Sequence, residues 1–552
     1  MDNQRLILSM GLAFVVLLIW QQWQADYNVA PATPASIERT SEIANAQSVP
    51  ASQDVPSSVS VSATPNVPAQ ASASALPASK RVKVATDVYV AEIDVTGADL
   101  RRVDLIKYPV SIDEKDHPFR ILDDSTARTY IAQTGLIATE GVAPNHYAEF
   151  SSAKDSYALA DEADELRVPL TWREGDRTVT KTYVFHRGSY EIDVEYAVVN
   201  GSGSTWNIRE YRQFQRSRPP AETSSNFIHT YTGGAIYSEE EKYEKISFDD
   251  VDDTPLSRNI TGGWGAMIEH YFVSAWVPAA DRAQGYYSKP LGDGRYVLGM
   301  MSTAQDVAPG ETQILTTKLF VGPKLRKDLE KVAKGLSLTI DYGWLTVISE
   351  PLFWLLDKIH GFFGNWGVAI IVLTILIKLA FYKLSEASYK SMANMRKLTP
   401  RLQALKEKFG DDKQKLNQAM MEMYRKEKIN PLGGCLPMLV QIPVFIALYW
   451  ALLESVELRQ APFFLWINDL STQDPYFVLP VIMGVSMLIQ QKLNPAPMDP
   501  MQAKIMMALP FVFGVFFAFF PAGLVLYWVV NNILSIAQQW HITRKIEAGE
   551  KV

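Results

Sequence analysis

Five apolar segments crowd into the last third of the chain: roughly Trp366–Leu384, Leu432–Leu453, Tyr476–Ile489, Ile505–Phe520 and Leu524–Trp540. Only Pro521, Ala522 and Gly523 separate the last two, which forces an antiparallel pair with a tight turn. Segments this apolar predict membrane-spanning helices, although several fall short of the ~20 residues that cross a bilayer at 1.5 Å per residue. A further apolar stretch, Leu6 to Trp20, follows Arg5 and leads into Gln21, Gln22 and Trp23 with no small-x-small cleavage site, so residues 1–25 read as a retained signal anchor rather than a cleaved signal. The fold class expected is a polytopic α-helical membrane protein, a five-span core plus an N-terminal anchor span, carrying a large all-β sandwich.

That sandwich is expected over 82–322. Runs such as Tyr89 to Val95, Thr178 to Phe185, Tyr190 to Tyr196 and Thr312 to Phe320 alternate apolar and polar residues with a period of two, and turn clusters such as Asn200 to Ser204 divide them. Between anchor and sandwich, residues 26–81 form a tether. Twelve Ala, eleven Ser and seven Pro fall between Ala30 and Ser79 with no aromatic residue, too little apolar bulk to offset ordering entropy, so the tether is expected to be disordered. Residues 323–365 read as a linker with a short charged helix, Lys324 to Lys334, and an interfacial amphipathic helix. In the latter, Trp344, Phe353, Trp354, Phe362 and Phe363 mix with Glu350, Asp357, Lys358 and Pro351.

Basic residues set the expected orientation. Residues 385–430 hold eleven Lys/Arg against six Asp/Glu, whereas loop 455–475 has Arg459 alone against Glu457, Asp469 and Asp474. Alternating spans at 366–384, 431–454, 476–491, 505–520 and 524–540 then place 385–430, the loop 492–504, the tail 541–552 and both termini in the cytoplasm. The β domain falls outside, in the periplasm of a cell with two membranes. The 385–430 loop itself reads as a helical hairpin: Met392, Met395, Leu398, Leu402, Leu405 and Phe409 form one stripe, Gly410 ends that helix, and Asp411 or Asp412 caps the next. Its methionines suit either a hairpin core or a landing surface for hydrophobic segments.

Enzymatic and cofactor chemistry is not legible. The single Cys435 excludes an intramolecular disulfide. His117, His146, His186, His229 and His270 are too scattered for metal ligands, and no Walker loop, nucleophile elbow or zinc-helix motif occurs. The expectation is no enzyme, no cofactor and no metal.

Function concentrates on Lys378, twelve residues into its apolar segment. A lysine at that depth costs about 2.5–3.5 kcal/mol on insertion scales, so it either snorkels to the interface or faces water or a partner. Thr374 shares its face. Gln441 and Asn532 each lie about 12 Å inside their own segments. No carboxylate accompanies them, and the opposite halves, such as Val512 to Phe520, hold only apolar and aromatic residues. A pore needs polar lining through both halves, and an ion relay needs carboxylates. The remaining readings are a positively charged hydrophilic pocket open to the cytoplasm, or dry helix–helix hydrogen bonds. A transporter or channel and a membrane-anchored envelope enzyme are the competing functions.

The runs Asn430 to Tyr449 (NPLGGCLPMLVQIPVFIALY), Ser455 to Phe463 (SVELRQAPF), Asp499 to Gln502 (DPMQ) and Phe520 to Tyr527 (FPAGLVLY) resemble the YidC/Oxa/Albino insertase family, and the similarity extends over the whole chain. The resemblance implies a membrane protein insertase and folding chaperone of the bacterial cell inner membrane. It acts on nascent membrane proteins, alone or with the SecYEG translocon and its accessory subunits, contacts the ribosome through cytoplasmic loops, and touches membrane lipids. The family carries a groove arginine where this chain has Lys378, which keeps the charge but loses bidentate bonding. Thr374 matches a family groove position, and Tyr527 and Trp528 match substrate-contacting aromatics. The tail after His541 is short, so a separate ribosome-binding extension is not expected.

Overall fold

A computed structural model describes residues 54–56, 79–220, 230–410, 412–427, 436–494 and 500–548. The anchor 1–25, most of the tether, His229 and Cys435 lie outside the described residues.

Two sheets form the sandwich. The eleven-stranded one runs from Ser257–Thr261 through Ala283–Pro290, Arg295–Ser302, Trp206–Ser217, Thr129–Ala138, Pro118–Asp124, Asp99–Pro109, Tyr89–Asp94 and Arg81–Ala85 to Ser156–Ala158, with Gln305–Val307 beside Trp206–Ser217. In the nine-stranded sheet, Glu191–Asn200 lies between Arg177–His186 and Thr312–Pro323, in register Ile192↔Phe185 and Ile192↔Leu319. Pairing is antiparallel except between Arg81–Ala85 and Ser156–Ala158. The alternation read in the sequence is what buries Ile192, Val194, Tyr196 and Val198 on one face and leaves Glu191, Asp193 and Glu195 towards solvent. Asn200 closes the following turn by donating to the carbonyls of Ser204 and Val307, each at 2.8 Å.

One correction concerns the tether. Residues 54–56 are not loose chain: the Asp54 carboxylate sits 3.2 Å from His146 Nε2, and its side chain is 11% exposed. Composition missed this because a single aspartate held by polar side chains leaves no apolar signature.

After the sandwich come helices α1 (Arg326–Val332), α2 (Thr346–Phe363), α3 (Trp366–Ala380), α4 (Tyr382–Phe409), α5 (Lys413–Lys426), α6 (Leu436–Glu454), α7 (Val478–Leu493), α8 (Pro500–Phe517) and α9 (Ala522–Glu547). α2 buries Ser349, Phe353 and Leu356 and presents Trp354, Val347 and Phe362 outward. Breaks differ from the sequence reading. α3 stops at Ala380, and the chain bends by 67° between it and the first part of α4. α8 starts at Pro500 and α9 continues to Glu547, because helix propagation adds a hydrogen bond per residue and does not stop where apolarity does. Pro400 does not interrupt α4, and Asp412 caps α5 by accepting from the Lys415 N–H at 3.1 Å.

No single helix among the described residues is both long and apolar enough to cross a membrane, but the bent pair Trp366–Ala380 and Tyr382–Leu398 passes that test together. The surface is more telling. Val481, Val485, Phe511, Val512 and Val515 on α7 and α8 are all more than half exposed. A contiguous apolar face of that kind is stable against lipid and not against water.

The sandwich is joined to the helices by buried polar contacts. Lys324 pairs with Glu454 at 3.0 Å, both almost fully buried, and also donates to the Thr339 carbonyl. Arg459 donates to the carbonyls of Pro109 (2.7 Å) and Val110 (3.1 Å) and lies over the rings of Phe119 and Phe272. His270 Nε2 lies 2.9 Å from the Leu453 carbonyl, and burial together with the charge of Lys324 pushes its pKa down to about 3.

Candidate functional site

Asn365 starts α3 by accepting from the Val368 N–H at 3.0 Å. From there the helix is apolar, and Ile370, Thr374 and Lys378 recur every fourth residue, so they share the buried face. Thr374 is 1% exposed and donates to the Ile370 carbonyl at 2.6 Å. Lys378 is 8% exposed and occupies the last turn of α3, just before the bend. The sequence places it mid-segment; the structure places it at a helix end, where the carbonyl dipoles favour a cation. Its Nζ donates to Ser535 Oγ on α9 at 2.7 Å, and Ser535 in turn donates to the Asn531 carbonyl.

Asn532, 4% exposed, uses its Nδ2 to donate to Ser486 Oγ on α7 at 3.1 Å. Two turns further along α9, Gln539 donates to the Leu493 carbonyl and to Asn494 Oδ1. Asn532, Ser535 and Gln539 therefore make one polar stripe on α9 that binds α3 and α7. Ser486, Ser535 and Gln539 escaped the sequence reading, yet the three- and four-residue steps from Asn532 are the signal that could have found the two on α9. Gln441, half-buried on α6, makes no hydrogen bond to this set among the described residues. Nor has Lys378 a carboxylate partner among them: its acceptor is a hydroxyl.

Tyr527 and Trp528 belong to a separate cluster near the other end of α9. The Phe445 ring stacks on Tyr527 at 6.0 Å between centroids, and Trp528 lies 4.6 Å from Phe445 and 5.7 Å from Phe517. Tyr527 is 4% exposed, and the buried indole N–H of Trp528 has no acceptor among the described residues. The helical bundle is thus polar inside around Lys378 and aromatic around Phe445.

Comparison with known proteins covers both the sandwich and the helices. The profile of the YidC periplasmic domain matches residues 81–355, and that of the 60Kd inner membrane protein matches 358–550. A protein of Thioalkalivibrio sulfidiphilus named Membrane protein insertase YidC is 54% identical, covering 100% of both chains. The chain belongs to the YidC family. A second YidC protein, from Methylococcus capsulatus, is 53% identical over 99% of each chain. A crystal structure titled as an active YidC insertase with the first transmembrane domain resolved aligns with 84% of this chain and 92% of its own, at 17% identity and a TM-score of 0.37. Membership makes the β sandwich the periplasmic domain of an inner membrane protein, and the helices from α3 onward fall within the part that matches the 60Kd inner membrane protein. The function of the YidC family is not enzymatic.

Proposed function

We infer that this chain is a membrane protein insertase that receives nascent membrane proteins at the polar set around Lys378. One observation carries the mechanism: a lysine buried near the bend of α3, with a hydroxyl and no carboxylate as its acceptor among the described residues. An ammonium in that setting attracts an acidic or polar tail, which replaces the Ser535 hydroxyl and draws the tail part way into the bilayer. Thr374, Asn532 and Gln441 line the path, and the short helices thin the remaining apolar distance. On the far side, Tyr527 and Trp528 with Phe445 supply an apolar, aromatic wall for the arriving segment and oppose a through-going aqueous pore. The charge excess of 385–430 supports both termini being cytoplasmic, with five core spans and an anchor. The same net positive charge, with the apolar stripe of the hairpin, supports capture of ribosomal RNA phosphates and greasy segments. Membrane lipids contact the exposed apolar face of α7 and α8, and the SecYEG translocon is the partner for larger substrates.

The test is site-specific photo-crosslinking from positions 374, 441 and 535 to a ribosome-stalled membrane protein. Adducts at these positions, with none from outward-facing Val512, support the reading. Adducts from Val512 alone would remove the polar set from the substrate path.

A further inference from the structure

Insertion does not account for the polar pocket beneath Asp54. This residue is the only aspartate between 30 and 79, and it reaches across 93 positions of sequence to Tyr147. The Tyr147 hydroxyl donates to Asp54 Oδ1, His146 Nε2 faces Oδ2 at 3.2 Å, and Gln213 Nε2 donates to the Asp54 main-chain carbonyl at 3.1 Å. Both receiving groups are deep: His146 is 1% exposed and Gln213 is 0% exposed. Each is also fixed from behind. The Tyr211 hydroxyl lies 2.5 Å from His146 Nδ1 and accepts the His146 backbone N–H, while Gln213 accepts from the Tyr287 hydroxyl and donates to Gln133. Burial by itself would raise the Asp54 pKa, but the imidazole of His146 beside it, with the hydrogen bond from Tyr147, outweighs that and holds the carboxyl at about 2.

We propose that this pocket is a binding site for an extended acidic peptide, and that residues 54–56 of the chain itself are its resident ligand. Recognition is divided: His146 and Tyr147 read a carboxylate, and the Gln213 amide reads the adjoining main chain. Docking fixes one point near the middle of the stretch that joins residues 1–25 to the sandwich, so the β domain holds its own N-terminal arm.

The experiment uses the full chain in detergent micelles with Cys435→Ser and Val55→Cys, and reads the rate of maleimide labelling. Adding Asp54→Ala removes a charge-assisted bond and should speed labelling by about tenfold or more. Tyr147→Phe, which deletes only a hydroxyl, should give an intermediate rate. In parallel, a fluorescent peptide spanning residues 48–60 should bind the Asp54→Ala chain saturably, and the same peptide with alanine in place of its aspartate should not. Equal labelling with and without Asp54, or equal binding of the two peptides, would overturn the proposal.

Discussion

The sandwich and the helical core each bury a lysine, and the two are treated in opposite ways. Lys181 is 0% exposed, donates to the carbonyls of Gly97 (3.1 Å) and Thr134 (3.0 Å), and lies over the rings of Tyr183 and Tyr196. Its charge is satisfied from several directions by atoms of the sheets. Lys378 has one neutral hydroxyl among the described residues. One lysine is a rivet between two sheets; the other is a cation with bonding capacity to spare. The outer surfaces are inverted as well. The sandwich turns Ile192, Val194 and Tyr196 inward, whereas the core turns Val485, Phe511 and Val515 outward and keeps Thr374, Asn532 and Ser535 inside. Each follows its solvent: water rewards buried hydrocarbon, and lipid rewards buried polar groups.

The largest effect expected from breaking this contrast is at the junction between the two regions. Lys324→Ala or Glu454→Ala leaves its partner buried and unpaired, which costs about 3–5 kcal/mol. Thermal unfolding of the full chain should show the loss, while Lys324→Met with Glu454→Leu should recover most of it. A single variant as stable as the parent would mean that the pair is solvated.

A smaller, pH-dependent effect sharpens the view of Lys181 as a structural strut. Burial lowers its pKa to about 8 from 10.5, against the opposing pull of Asp99 and Glu210. The folded state therefore binds this proton less readily than the unfolded chain. Its contribution to stability is fully present above 10.5 and is lost as pH falls through about 8. Urea unfolding followed from pH 8 to 10.5 should show the β transition shifting upward. Lys181→Met should flatten that shift, and an unchanged slope in the variant would assign it to another group.

The smallest effect belongs to the inner bonds of the core. Asn532→Ala, which removes the bond to Ser486, should destabilise the core by about 0.6 kcal/mol, because transmembrane hydrogen bonds average that little. A loss several times larger, read by unfolding in micelles, would make Asn532 a keystone of folding instead of a group that can exchange partners with a substrate.

Much of this was legible in the sequence, for a reason visible in particular residues. Ile192, Val194 and Tyr196 alternate because a strand has two faces, and that period survives in the sequence without knowledge of the partner strand. Lys378 stood out because an ammonium in an apolar run is costly wherever it sits. What it would bond was not legible: Ser535 lies 157 positions away on α9, and serine is too common to signal a partner. The end of α3 at Ala380 was hidden because Phe381 and Tyr382 continue the apolar run through the bend. Asp54 was hidden for the opposite reason, since one carboxylate in an Ala/Ser/Pro stretch reads as solvated chain until His146 and Gln213 are placed beside it.

The account rests on Lys378 acting through charge. Its most direct test is insertion into vesicles of a client with an acidic N-terminal tail, by variants checked for equal abundance in the membrane. Lys378→Arg should insert the client as the parent does, and Lys378→Glu should abolish insertion, with a client bearing a neutral tail affected less. Full insertion of the acidic-tailed client by Lys378→Glu would contradict the account.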